Sequence, residues 1–208
     1  MKKKGLRRIL ILGLVAVLGF GWFAAYRAVN RWYEPLIIPT NTVTYEMGQW
    51  VPIGPQPENI LQPDGWSGYS YQLHDWKIMD TDAFLEEYQL QPHWQEEDIK
   101  PEKMLVATVT VANENNALMD FSLFQLTVKT ELSTTFLDEV LCAELNEGVE
   151  YPANISVALT EEVTLTLPYG LRRESFSAWH WRNIEQLPFY MTFSMVNENW
   201  EERIVPLN

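Results

Sequence analysis

The run Ile9–Ala25, reading ILILGLVAVLGFGWFAA, holds seventeen uncharged residues directly after Lys2, Lys3, Lys4, Arg7 and Arg8. As a helix it reaches about 25 Å, the short end of what crosses a bilayer core. Leu6, Tyr26, Ala28 and Val29 extend the apolar span if Arg7, Arg8 and Arg27 snorkel to the interface. Trp22, Tyr26, Trp32 and Tyr33 suit an aromatic belt on the exit side. Five cations precede the run and only Arg27 and Arg31 follow it closely, so the positive-inside bias places Met1 in the cytoplasm and the remainder outside. The sequence thus predicts a cytoplasmic tail over 1–8, a signal-anchor helix over 9–29, a stalk over 30–41 and an extracellular domain over 42–208.

A cleaved signal peptide shares the basic start and apolar core. The run here exceeds the usual length, and Gly19 and Gly21 make a poor cleavage site. No cysteine lies near the span, so no lipid-modified cysteine can form there.

Beyond residue 34 the balance of charge changes sharply. Seven of the fifteen Lys and Arg lie before residue 35, against one of the twenty-eight acids, leaving a net charge near −19 on the rest. Such a field repels nucleic acid and anionic lipid surfaces and attracts cations, basic peptides or a basic partner. Cys142 is the single cysteine, so no internal disulfide is available and stability must come from a core. An exported chain without disulfides fits a Gram-positive surface better than an animal secretory route. The apolar Val140-Leu141-Cys142-Ala143 setting predicts a buried, inert thiol.

Pro35 and Pro39 end the helix and give an extended stalk. Alternation then predicts a strand over Thr42–Val51 and a loop over Pro52–Asp64. A long aromatic strand follows over Trp66–Asp80, with Tyr69, Tyr71, Leu73 and Asp75 on one face and Ser70, Gln72, His74 and Trp76 on the other. Phe84, Leu85 and Tyr88 form one face of a short helix capped by Asp80 or Thr81. Met104–Asn113 alternates cleanly, and Asn113–Asn116 is a turn. Further strands are predicted over Phe121–Thr130, Thr134–Leu145, Ile155–Leu167 (closed by Pro168), Leu187–Val196 and Trp200–Val205. Ser177–Gln186 reads as one or two helical turns. Eight or nine strands joined by turns predict an all-β antiparallel sandwich.

Several stretches carry a resemblance. These are Tyr45-Glu46-Met47-Gly48, Asp64-Gly65-Trp66-Ser67-Gly68-Tyr69, Phe84-Leu85-Glu86-Glu87-Tyr88, the strand Leu105–Val111 ending in Asn113, and Leu167-Pro168-Tyr169-Gly170-Leu171. In this order, behind a basic tail and a single span, the chain resembles a family of uncharacterised, membrane-tethered proteins of Gram-positive bacteria with one immunoglobulin-like extracellular domain. The resemblance implies that fold, that topology and a bacterial surface. It implies no catalytic residues.

The residues themselves offer little chemistry. His74, His93 and His180 have no second His or Cys at metal-ligand spacing. Asp80, Asp82, Glu86 and Glu87 supply oxygens but not a calcium-loop pattern, and helix capping accounts for the two aspartates. No Gly-x-Ser-x-Gly elbow occurs. The aromatics are the sharper clue: Trp66, Tyr69, Tyr71, Trp76, Trp94, Trp179, Trp181 and Trp200 exceed what one core hides easily. Trp179-His180-Trp181, if extended, puts both indoles on one side as a surface for a sugar ring or peptide.

The expectation is a non-enzymatic, single-pass surface protein without cofactor or metal, binding an extracellular protein or peptide and no nucleic acid. The alternatives are a cell-wall carbohydrate-binding module and a hydrolase with paired carboxylates such as Asp75 and Asp80.

Overall fold

A computed structural model describes residues 13, 19–23, 41–54, 66–95, 99–131, 133–194 and 201–207. Residues 1–38 and 39–208 are two separate compact units. In the first, Gly13 and residues 19–23 are helical. The predicted tail, almost all of the span over 9–29 and the stalk up to residue 40 lie outside the described residues. No helix among the described residues is long and apolar enough to cross a membrane.

The second unit is mostly β. Its strands are β1 (Asn41–Thr44), β2 (Trp50–Ile53), β3 (Tyr69–Asp80), β4 (Lys103–Asn113), β5 (Asp120–Ser122), β6 (Leu126–Lys129), β7 (Thr134–Thr135), β8 (Val149–Glu150), β9 (Asn154–Ser156), β10 (Glu162–Leu171), β11 (Tyr190–Phe193) and β12 (Glu201–Pro206). Among the described residues three short α-helices accompany them: α1 (Thr81–Glu87), α2 (Glu139–Leu145) and α3 (Ala178–Arg182). The strands form a five-stranded sheet β1-β12-β11-β6-β7, a four-stranded sheet β10-β4-β3-β2 and a three-stranded sheet β5-β9-β8. Among the described residues all pairings are antiparallel except β1 with β12, so the first sheet is mixed rather than wholly antiparallel.

Inward side chains of all three sheets meet in one core. The four-stranded sheet gives Tyr71, Leu73, Val109, Val111 and Leu167; the five-stranded sheet gives Leu126, Val128, Met191 and Val205; the small sheet gives Phe121 and Ile155. Polar ties join the two larger sheets, one through this core and one at its exposed edge. The Tyr169 hydroxyl on β10 donates to the Leu126 carbonyl on β6 at 3.1 Å, and Arg203 on β12 donates to the Pro52 carbonyl on β2. β4 is covered on both faces. Its residues Met104 and Val106 point away from the main core into a second cluster with Phe84, Leu85 and Leu141, supplied by α1 and α2.

Five local expectations are corrected. The stretch Thr42–Val51 is two strands in different sheets, because Gly48 turns the chain at φ +83° between them. In β3 the register slips between Leu73 and Asp75, so His74 is bulged out against β4. Beyond the bulge Trp76 and Ile78, not Asp75, take the inward face, and both pack on the main core. Phe121–Thr130 is interrupted by a 3-10 turn at Leu123–Gln125, which carries Phe124 off the core face and onto exposed Phe136 (5.3 Å, stacked). Leu137–Leu145 is not extended: the Asp138 side chain accepts from the Leu141 amide, and helix α2 buries Leu141 and Cys142 on one face.

Pro168, finally, does not end its strand. β10 is an edge strand, and the Pro168 carbonyl accepts from the Asp138 amide on the side away from β4. In a strand the N and O of one residue point the same way, so the nitrogen that proline leaves without a hydrogen is one β4 does not need.

Candidate ligand-binding surface

Trp179, His180 and Trp181 lie on α3, which is helical because Ser177 caps it. The Ser177 hydroxyl accepts from the His180 amide at 3.2 Å and bonds His180 Nδ1 at 2.8 Å. Residues two apart on a helix point about 200° apart around its axis. The indoles diverge accordingly: Trp179 is 65% exposed and edge-on to His180, whereas Trp181 packs against Phe176 and the main core. The extended, two-indole surface therefore does not form. Tyr69 and Tyr71 are fully buried, and Trp66, Trp76 and Trp94 are half-buried. Met195 and Trp200 lie outside the described residues.

The acids around α1 are largely engaged. Lys100 holds Asp82 at 2.5 Å, Lys103 holds Asp80 at 3.1 Å and Lys77 holds Glu87 at 2.5 Å. Asp80 makes no side-chain cap; instead the Thr81 hydroxyl donates to the Pro101 carbonyl at 2.6 Å. Among the described residues no three His, Cys, Asp or Glu come together as a metal site. His74, in its bulge, bonds the Thr110 hydroxyl at 2.6 Å, which in turn meets Thr164 at 2.8 Å.

An arrangement not anticipated from the sequence joins His93, Asp138 and Cys142. His93 Nε2 lies 3.3 Å from Asp138 Oδ1, and Cys142 follows one turn into α2. Burial pushes the Asp138 carboxyl above its ordinary value, against the lowering effect of the Leu141 amide and of His93. Burial likewise pushes the Cys142 thiol up to about 12. At neutral pH this is a protonated sulfur in a closed core, the opposite of an activated nucleophile.

At the other end of the fold, the turn before β3 meets the small sheet. Gly68 adopts φ +87°, and a Cβ there would meet the Asn116 backbone nitrogen at 3.2 Å, so this turn strongly favours glycine. Asn113 and Asn116 lock it. Asn113 Oδ1 accepts from the Asn116 amide at 2.7 Å, and Asn116 Nδ2 donates to the Ser67 carbonyl at 2.8 Å. The adjoining surface holds an open cleft of about 450 Å³ lined by Trp66, Leu118, Asp120, Ser122, Glu150 and Asn154. Trp66 is set edge-on to Phe193 at 5.8 Å, which ties the cleft wall to β11.

The fold and this surface define a mostly-β domain with an acidic cleft walled by Trp66. The chain belongs to the DUF5028 family, a domain of unknown function, whose profile matches residues 42–196. The crystal structure of the yjhA protein from Bacillus subtilis is similar over 79% of this chain and 99% of that one, at 9% identity and a TM-score of 0.42. No curated protein matches the sequence.

Proposed function

We propose that the chain is a non-enzymatic, single-pass surface protein of a Gram-positive bacterium. Residues 1–8 are cytoplasmic, 9–29 span the membrane, 30–41 are a stalk, and 42–208 form an immunoglobulin-like ectodomain that binds a positively charged protein or peptide. The basic start and apolar run Ile9–Ala25 support the tether and its orientation. Sheets meeting across one core, joined by the Tyr169–Leu126 bond, support the sandwich reading.

One observation carries the binding assignment. Of the eight Lys and Arg beyond residue 34, Lys77, Lys100, Lys103, Lys129 and Arg203 already sit against the domain's own acids. With twenty-seven acids in the same stretch, most of the negative charge has no internal counterpart. A basic partner is the complement, and nucleic acid is repelled.

Proximity cross-linking on intact cells carrying the full chain tests this. One dominant cross-linked protein, lost when residues 42–208 are removed, is the expected result. Recovery of peptidoglycan or another glycan without a protein overturns it and promotes a carbohydrate-binding module.

A further inference from the structure

We propose that the cleft between the turn at Trp66 and the small sheet is where a lysine or arginine side chain of the basic partner docks. This rests on the binding reading above and gives it a location.

The cleft is built from three parts of the chain. Trp66 comes from the turn that Gly68, Asn113 and Asn116 fix; Leu118, Asp120 and Ser122 come from the approach to β5 and from β5 itself; Glu150 and Asn154 come from β8 and β9. Its lining therefore combines two carboxylates, one amide, one hydroxyl, an indole and an exposed leucine. No Lys or Arg lines it among the described residues, and neither Asp120 nor Glu150 has an ion-pair partner there.

A second observation adjoins this lining. The Tyr69 ring packs on Phe121 at 4.9 Å, and Phe121 lies between the cleft residues Asp120 and Ser122. The Tyr69 side chain is 1% exposed and its hydroxyl has no hydrogen-bond partner among the described residues. A buried hydroxyl left without a partner costs stability, so this wall of the cleft is not optimised for packing alone.

The combination matches a long cationic side chain. The carboxylates take the ammonium or guanidinium head, and the indole and Leu118 take the methylene stem, with a cation–π contribution from Trp66. A neutral sugar would leave the two carboxylates uncompensated.

The test uses the full-length chain in a neutral detergent, titrated into fluorescein-labelled octalysine at low ionic strength and followed by anisotropy. Asp120→Asn with Glu150→Gln removes two charges from the cleft. Glu86→Gln with Glu144→Gln removes two exposed charges from the surfaces of α1 and α2, neither in an ion pair among the described residues, and keeps the overall field matched. We expect the cleft pair to weaken binding about fivefold to tenfold and the helix pair less than about twofold. Trp66→Phe, which preserves the packing on Phe193, should weaken it about twofold to threefold. Equal loss from both charge pairs overturns the cleft assignment while leaving a field-driven binder. No binding of octalysine by the unsubstituted chain overturns both, and binding of a chitin hexasaccharide lost with the cleft pair replaces them with a glycan site.

Discussion

His93 Nε2 sits 3.3 Å from Asp138 Oδ1, joining the loop that follows α1 to the residue that caps α2. The same carboxylate oxygen accepts from the Leu141 amide at 3.1 Å, so one largely buried group serves as both helix cap and partner to an imidazole.

The sign of its pH dependence follows from burial. The folded carboxyl binds its proton more tightly than the ordinary value of 3.8, so the unfolded chain releases that proton first as pH rises. Between 3.8 and the raised folded value, this group's contribution to stability falls with increasing pH. Asp138→Asn keeps a capping oxygen and cannot ionise. It should therefore flatten the stability profile across that range and match or exceed the unsubstituted protein at neutral pH. Asp138→Ala loses the cap and should cost about 1 kcal/mol. Urea unfolding across the acid range checks both; a steeper profile for Asp138→Asn would contradict the assignment.

Asn146 should be among the most sensitive positions outside the apolar core. Its amide donates to the Cys142 carbonyl and to the Thr166 carbonyl, each at 2.8 Å, and its oxygen accepts from the Thr166 amide at 2.7 Å. Asn146→Ala leaves one buried and two part-buried backbone groups short of partners and should cost about 2–3 kcal/mol. A loss below about 1 kcal/mol in chemical denaturation would show that water replaces the amide.

The two tryptophans of α3 should behave oppositely. Trp181→Ala removes packing against Phe176 and the core and should destabilise by about 2–3 kcal/mol. Trp179→Ala removes a 65% exposed ring and should change stability by less than about 0.5 kcal/mol. Paired thermal melts decide the matter, and equal losses would contradict the helical placement.

Cys142 should resist alkylation in the folded protein. It is buried, and its thiol is held up at about 12. Mass spectrometry after iodoacetamide treatment at mildly alkaline pH should find it unmodified until denaturant is added. Labelling of the native chain would mean that α2 opens on the timescale of the reagent.

How far the sequence is legible depends on how local the signal is. β4 and the first half of β3 follow alternation because each turns one unbroken apolar face to the main core, and α1 follows the spacing of Phe84, Leu85 and Tyr88. Alternation fails where one residue changes the phase. The His74 bulge reverses every side chain from Asp75 onward, and nothing in the residue itself announces it. α2 is hidden because Val140, Leu141, Cys142 and Ala143 suit a strand as well as a helix; Asp138 ahead of them is the overlooked cue. Pro168 misleads because its effect depends on which side of the strand carries the continuous ladder to β4, a tertiary fact. At the surface, the abundance of tryptophan is visible in the sequence, whereas its division between Trp179 outside and Trp181 inside requires the helix. The cleft is less accessible still. Trp66, Asp120 and Glu150 lie far apart in the chain, and only the pairing of β5 and β8 with β9 brings the two carboxylates together.

The parallel pairing of β1 with β12 also determines how the domain bears load. Asn41, Thr42, Val43 and Thr44 lie beside Glu201, Glu202, Arg203 and Ile204 in the same direction. Pulling the chain from ahead of Asn41 against its far end at Leu207 draws these two strands past each other lengthwise. Every rung between them then resists at once instead of opening one after another, as a zipper would. Held at its start and pulled at its end, such a domain yields by a single abrupt slip, whose rate, rather than any equilibrium, sets how long it holds.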